Sequence, residues 1–423
     1  MIETMRNTLV ASPLIEVTDD NANASQIPGP SRSGSVQTQA TVDLATNWML
    51  NSGAQVTGND SQTNGGYVSW YEADTQSYPY VYSEISGYML TMLTVLYHRY
   101  NDVRYLQSAM RTGDWFLATA HEPTGGFRCL FPLRDTRFNY KFNQIYAFDC
   151  GVILSGLANL YRASGQAQYL TAATTVADWL VRDVQKPNTG FRPVYDIATA
   201  SFPESDKEWS LCSGSYHTKI AIGLLNLYDL THQPSYLRGA LNACDFALTF
   251  QEKSGRFISF PGTSGGGTNA HPHLYSAEGL WVVGKYLGRD DYLRASASAT
   301  QWLLDLQNDA GLVPRHFQNN EPFYIERVDV LAQALRMAAI HTAEGRLSTS
   351  VLSHLEKLVP IIKRNQSVSA DTRANGGFFF GRLSDGQVMP HVNVWVTMFA
   401  VQALLAYSDL QHGTLNFRPF DMV

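Results

Sequence analysis

Apolar and polar positions along this chain fall into two helical patterns that alternate. In one kind of segment the apolar residues keep to a single face, as in residues 40–50, 104–118, 168–182, 235–249, 292–306 and 349–362. In the other they cover most of the circumference, as in 83–97, 148–161, 215–228, 275–286, 327–340 and 392–406. Helices hydrophobic nearly all round belong inside a fold and one-sided helices outside. The alternation therefore predicts six inner and six outer helices. Turns from inner to outer segments are short, as in "YRASGQAQY" and "GRDDY", while the returns run up to about thirty residues. This is the pattern of an all-α closed (α/α)6 toroid, with short turns at one end and long loops carrying short β segments at the other.

An internal repeat supports the same reading. Tyr-Leu pairs begin at Tyr105, Tyr169, Tyr236 and Tyr292, and nine residues after each stands Asp114, Asp178, Asp245 or Gln301, followed by an aromatic residue. Glycine-led segments, "GGF" at 125–127, "GRF" at 255–257 and "GLV" at 311–313, then follow. A fixed internal offset recurring at intervals of 56 to 67 residues marks stacked structural units that bury their faces against neighbours. Residues 1–37, polar and rich in Ser, Pro and Gly, read as a flexible or wrapped N-terminal arm, and 38–423 as a single toroid domain.

Composition narrows the partners. Of 423 residues 44% are hydrophobic, enough for a sizeable core, and 31 basic against 37 acidic residues give a net charge of −6, which argues against a nucleic-acid partner. Four cysteines form no CxxC pair and read as free thiols. The start does not resemble a signal peptide and no apolar run is long enough for a transmembrane segment, so the default expectation is a cytoplasmic protein.

A toroid gathers the N-terminal ends of all six inner helices around one mouth, where unpaired N–H groups favour an anionic or polyhydroxylated ligand. The six starts read "YPYVYSEISG", "NQIYAFDCG", "EWSLCSGSYH", "NAHPHLYSAEG", "EPFYIERVD" and "MPHVNVWVT". Each sets aromatic, imidazole or carboxylate groups before an apolar run. Helix capping accounts for single residues such as Ser83, Asp149 or Ser215, but a cap needs no tyrosine or histidine beside it. A shared cleft accounts for all six.

The alternating helices, the Asp-Trp-Leu outer segments and the glycine-led segments make residues 40–410 resemble (α/α)6 carbohydrate-active enzymes. The unsaturated glucuronyl hydrolases are nearest in pattern, and the N-acylglucosamine 2-epimerase and glucuronyl C5-epimerase groups more distant. In the hydrolases an aspartate before a glycine at the start of an inner helix does acid–base work. The resemblance implies that role for Asp149 in "FDCG", where a cysteine stands between the aspartate and Gly151.

Cleavage of a glycosidic bond needs two carboxyl groups. The candidates are Asp149 first, then Glu278 and Glu326, then Glu84 and Asp329. Positions around the ring predict Glu84 opposite Glu278 and Asp149 opposite Glu326, with Glu326 and Asp329 on one helix face. Asp329 could instead anchor Arg327. For an oligosaccharide or polysaccharide partner, Tyr82, Tyr146, Trp209 and Tyr275 offer flat apolar faces, and His217, His273, Arg327, His391 and Asn393 offer polar contacts. Trp281 and Trp395 suit either the cleft or the core, and Arg134 and Arg137 either a carboxylate contact or solvent. His217, His271, His273 and His391 lack a specific metal-ligand spacing, so neither metal nor other cofactor is expected. The favoured activity is a glycoside hydrolase acting on a uronic-acid-containing or other oligosaccharide. A polysaccharide lyase or sugar epimerase, drawing on His217, Tyr146, His273, Asn269 and Arg327, and a non-catalytic glycan-binding protein stay open.

Overall fold

The computed structural model describes residues 32–133, 136–187, 190–205, 208–259 and 266–423. Its inner helices are α2 (Ser83–Tyr100), α4 (Ala147–Ser164), α6 (Thr218–Thr231, preceded by a 3-10 turn, Ser215–His217), α8 (Ala270–Leu287), α10 (Val328–Ala343) and α12 (Val394–Gln411). The outer helices are α1 (Arg32–Asn51), α3 (Val103–Trp115), α5 (Ala167–Trp179), α7 (Pro234–Leu248), α9 (Asp290–Asp305) and α11 (Leu352–Lys363). Each inner helix packs on the next, and α12 packs back on α2, so the six close into a ring with the outer helices around it. This is the expected (α/α)6 toroid. The expected arm, residues 1–37, falls mostly outside the described residues, and α1 begins at Arg32, earlier than the predicted helix. No described helix is long and apolar enough to cross a membrane.

The inner helices approach closely because glycines stand at their crossings. A Cβ on Gly223 of α6 would come within 2.4 Å of the Gly151 carbonyl oxygen of α4. The aromatic and aliphatic side chains filling the interior, such as Trp48, Tyr88 and Trp281, are almost wholly buried.

Two hydrogen-bond ladders tie neighbouring outer helices together. The tyrosines of three of the four Tyr-Leu pairs donate to the repeat aspartate of the preceding outer helix: Tyr169 to Asp114 at 2.8 Å, Tyr236 to Asp178 at 2.7 Å and Tyr292 to Asp245 at 2.5 Å. That pairing explains the fixed offset in the sequence. A second ladder runs through glutamine Nε2 groups to main-chain carbonyls of the next outer helix. Gln55 reaches Ser108 at 2.9 Å, Gln185 reaches Gly239 at 2.9 Å, Gln251 reaches Ala295 at 2.8 Å and Gln307 reaches His354 at 3.2 Å. Gln366 reaches Thr41 at 2.8 Å and joins the last outer helix to the first. The glycine-led segments follow at once. Gly255, with φ +96°, passes so near α9 that a Cβ would lie 2.3 Å from the Ser298 carbonyl oxygen.

At the loop-rich end, short antiparallel strand pairs form a collar. Strand 80–82 before α2 pairs with 130–132 after α3, and 144–146 before α4 pairs with 194–196 after α5. The same scheme joins 268–269 to 316–318, 326–327 to 381–382, and 391–393 to 70–72, the last closing the circle. The collar fixes where five of the six inner helices begin; α6 is entered through the 3-10 turn Ser215–His217. At the opposite end, Met422 enters the ring axis beside Tyr88, Val152 and Lys219, and Val423 is buried.

Candidate functional site

The residues at the six inner-helix starts converge on a cavity of about 250 Å³. The start of α2 supplies Tyr82 and Glu84, and that of α4 supplies Tyr146, Phe148 and Asp149. The segment before α6 supplies Trp209, Ser210 and Tyr216; α8 supplies His271 and Tyr275; Arg327 and Asp329 flank the start of α10; α12 supplies Trp395. Lys141, from a 3-10 turn before α4, completes the wall.

On one wall two carboxyl groups share a dry corner. Asp149 is 2% exposed, and its Oδ2 is buried with no hydrogen-bonding protein group. Burial and then the Glu84 charge hold the Asp149 carboxyl well above its usual range, against the pull of Lys141 and a hydrogen bond with the Cys129 thiol. Burial also raises Glu84, with the Tyr82 hydroxyl, Lys141 and Lys219 acting in the opposite sense. A buried and a partly buried carboxyl in mutual repulsion titrate as a pair, and the second proton is hard to remove.

The other wall is polar in a different way. Asp329 accepts from Arg327 Nη2 at 2.6 Å and Nε at 3.2 Å, and the Arg327 guanidinium lies 3.6 Å from the centre of the Phe380 ring. Burial acts to raise Asp329, but Arg327 and His271 outweigh it and hold the carboxyl below its usual range. His271 Nδ1 lies 2.6 Å from Gln333 Oε1 and 3.8 Å from Asp329 Oδ2. Burial lowers the His271 pKa, which favours the neutral ring. With Nδ1–H donating to the glutamine oxygen, the lone pair of that neutral ring is on Nε2.

Between these walls the lining is aromatic. Phe148 lies 4.9 Å from Tyr275 between ring centres, and Trp209 meets Tyr216 edge-on at 5.0 Å. Faces of this kind suit the C–H surface of a sugar ring, with the carboxyl and imidazole groups set to meet its hydroxyls.

Asp149, Glu84, Asp329, Tyr82, Tyr146, Trp209, Tyr275 and Arg327, all expected from the sequence, are brought together here. Others are not. Glu278 does not open to the mouth: α8 begins at Ala270, not Tyr275, so Glu278 lies two turns down the helix, fully buried. There it accepts from Lys219 at 3.0 Å, from Gln333 at 3.0 Å and from Arg336. It does not stand opposite Glu84, whose carboxyl neighbour is Asp149 on the adjacent helix. Glu326 sits in a strand, so it shares no helix face with Asp329; it turns to Arg364 and to Asn365, 2.6 Å away, and does not stand opposite Asp149 in the cavity.

Neither His217 nor His273 lines the cavity. His217 is packed against Tyr216 and Phe191, and His273 accepts from Phe257 N–H at 3.1 Å with its Nε2 3.0 Å from the Ala299 carbonyl. Asn393 is buried and caps α12 by accepting from Val396 N–H, while His391 stacks on Trp70 outside the cavity. Trp281 is core, donating to Glu344 at 3.0 Å. Arg137 reaches Glu72 at 3.2 Å, and Arg134 lies outside the described residues. Among the described residues no group of three or more His, Cys, Asp or Glu side chains is arranged to hold a metal ion. Lys141 and Tyr216 were missed by sequence reasoning, since both sit in loop or 3-10 segments with no periodic signal.

No protein-family model and no curated protein sequence matches the chain. Solved structures do match in fold. A sugar epimerase from a ruminal bacterium superposes with a TM-score of 0.70 at 12% identity, covering 88% of this chain and 98% of that one. Cellobiose 2-epimerase from Bacillus thermoamylovorans gives 0.70 at 13% identity over 87% and 99%. Unsaturated glucuronyl hydrolase from Bacillus sp. GL1 gives 0.60 at 16% identity over 91% and 100%. At these identities the likeness is one of fold, and it is the (α/α)6 toroid that the chain has in common with them.

Proposed function

We propose that this protein is a carbohydrate-active enzyme, and that it hydrolyses a glycosidic bond in an oligosaccharide, with Asp149 and Glu84 as its acid–base pair. The observation that carries this reading is the Asp149 carboxyl: buried at the cavity wall, its Oδ2 without a protein partner, and pushed toward its protonated form by burial and by Glu84. A carboxylic acid with a raised pKa can donate a proton to a leaving oxygen, and a neighbouring carboxylate can take one from water. Tyr146, Trp209 and Tyr275 provide faces for the sugar, and Arg327 and Lys141 provide charge for an acidic substituent such as a uronate. The epimerases and the glucuronyl hydrolase with the same fold add weight to a sugar substrate.

One observation favours a second reading. A neutral His271, its Nδ1 engaged by Gln333, is a base on the wall formed by α8 and α10, whereas the acid pair stands on α2 and α4. Proton removal beside a carbonyl by one group and return by another is epimerase or isomerase chemistry. The deciding experiment incubates the protein with uronic-acid and neutral oligosaccharides, including some with 4,5-unsaturated ends. Hydrolysis gives a new reducing end and no new double bond. New ultraviolet absorbance identifies a lyase, and solvent deuterium in uncleaved sugar identifies an epimerase.

A further inference from the structure

Below the cavity the ring axis holds a cluster of charges that the proposed chemistry does not use directly. Lys219, on α6, is 2% exposed and donates to Glu278 Oε2 at 3.0 Å. Arg336, on α10, is fully buried and binds the other Glu278 oxygen, to which Gln333 Nε2 also donates at 3.0 Å. One carboxylate is thus bracketed by two cations. With all three ionised, Lys219 (+1), Arg336 (+1) and Glu278 (−1) leave a net charge of +1.

On its cavity side Lys219 faces an aromatic wall. Lys219 Nζ is 5.3 Å from the ring centres of both Tyr88 and Tyr275, and Tyr275 is a cavity wall. Tyr88 follows Glu84 by four residues on α2, so the two share a helix face. The acidic groups felt at Lys219 are Glu278 and, less strongly, Glu84.

We propose that Lys219 is a positioning residue: from behind the Tyr88–Tyr275 wall, its ammonium, held by Glu278, sets a positive charge beneath Glu84. That charge acts with the Tyr82 hydroxyl and Lys141 to favour the ionised form of Glu84. Burial pushes Lys219 down to about 8, so it is cationic at neutral pH. The other groups facing the carboxyl pair are Tyr82, Cys129 and Lys141, and those facing Lys219 are Tyr88, Tyr275, Glu278 and Arg336. Lys141 acts from the cavity wall, and Lys219 from behind the Tyr88–Tyr275 wall.

The inference rests on the acid–base role proposed for Glu84 and Asp149, and its test reads protonation without turnover. Protein labelled with 13C at the side-chain carboxyls is titrated by NMR, with the two resonances assigned from Glu84→Gln and Asp149→Asn. In Lys219→Met the midpoint of the pair's first ionisation is expected to rise by about one pH unit, the effect of a unit charge roughly 10 Å away at an effective dielectric constant near 20. Lys219→Arg keeps the charge and is expected to restore the midpoint. Arg336→Met removes the same net charge from the other side and should raise it as well, which gives a second reading if Lys219→Met does not fold. An unchanged midpoint in both methionine variants, or an equal shift in Lys219→Arg, overturns the proposal. A shifted midpoint in a protein that turns over no sugar supports the charge assignment and counts against the enzymatic reading instead.

Discussion

Gln366, just after the last outer helix, donates through Nε2 to the carbonyl oxygen of Thr41 in the first outer helix, 2.8 Å away across 325 residues of chain. Four equivalent glutamines bridge other neighbouring pairs, so this bond is one rung of a ladder that also closes the ring. At the remaining position His121 takes the place of glutamine, and its Nε2 is buried with no protein partner. Gln366→Ala removes a bond to the main chain at the seam. The expected loss is about 1–2 kcal/mol of stability, read as a lower midpoint in urea unfolding. A midpoint equal to wild type would mean that the other seam contacts, such as Trp48 donating to the Arg373 carbonyl at 2.8 Å, hold it without Gln366.

His217 predicts how the fold responds to acid. Burial depresses its pKa to about 3, and neither ring nitrogen has a protein partner. A histidine kept neutral in the folded state but free to charge when unfolded makes the unfolded state bind more protons below about pH 6.5. Its contribution to stability is full above that pH and is lost as pH falls toward the folded value. His217→Phe removes this dependence. Relative to wild type, the variant should gain about 3 kcal/mol between pH 6.5 and pH 4. Parallel stability curves for the two proteins would contradict a neutral, buried His217.

Asp149 predicts the opposite slope. Its carboxyl is raised by burial and by Glu84, so the folded protein binds the extra proton above the ordinary aspartate range. Stability from this group is present below the unfolded pKa, about 3.9, and falls as pH rises toward the folded value. Asp149→Asn keeps the shape without the charge. Thermal unfolding should show a Tm above wild type at pH 7, with the gap closing toward pH 4. A variant less stable than wild type at pH 7 would mean that the carboxylate holds the surrounding loops.

Which features were legible in the sequence follows from what each depends on. The toroid was, because burial on one face or on all faces writes itself into the spacing of apolar residues, and the tyrosine–aspartate rungs recur at a fixed offset. The glutamine ladder was not, because Gln55, Gln185, Gln251, Gln307 and Gln366 lie beyond the helix ends and their main-chain acceptors carry no side-chain signal in the sequence. Glu278 was misplaced because the apolar run begins only near Tyr275, while α8 starts at Ala270 and runs through Pro272, which a first turn tolerates. Glu326 was misplaced because its strand leads directly into α10 with no turn residue between them. His271 attracted notice only as a metal ligand, since its partner Gln333 is 62 residues away.

The account stands on Asp149 as a proton donor and acceptor, and turnover of Asp149→Asn tests that most directly. Asparagine fills the same space against Glu84 and Phe148 but exchanges no proton at working pH. With a sugar that the wild type converts, kcat in the variant should fall about 100-fold to 10,000-fold, with substrate affinity nearly unchanged and thermal unfolding showing an intact fold. A folded variant that keeps more than about one tenth of the wild-type kcat would contradict the acid–base role of Asp149.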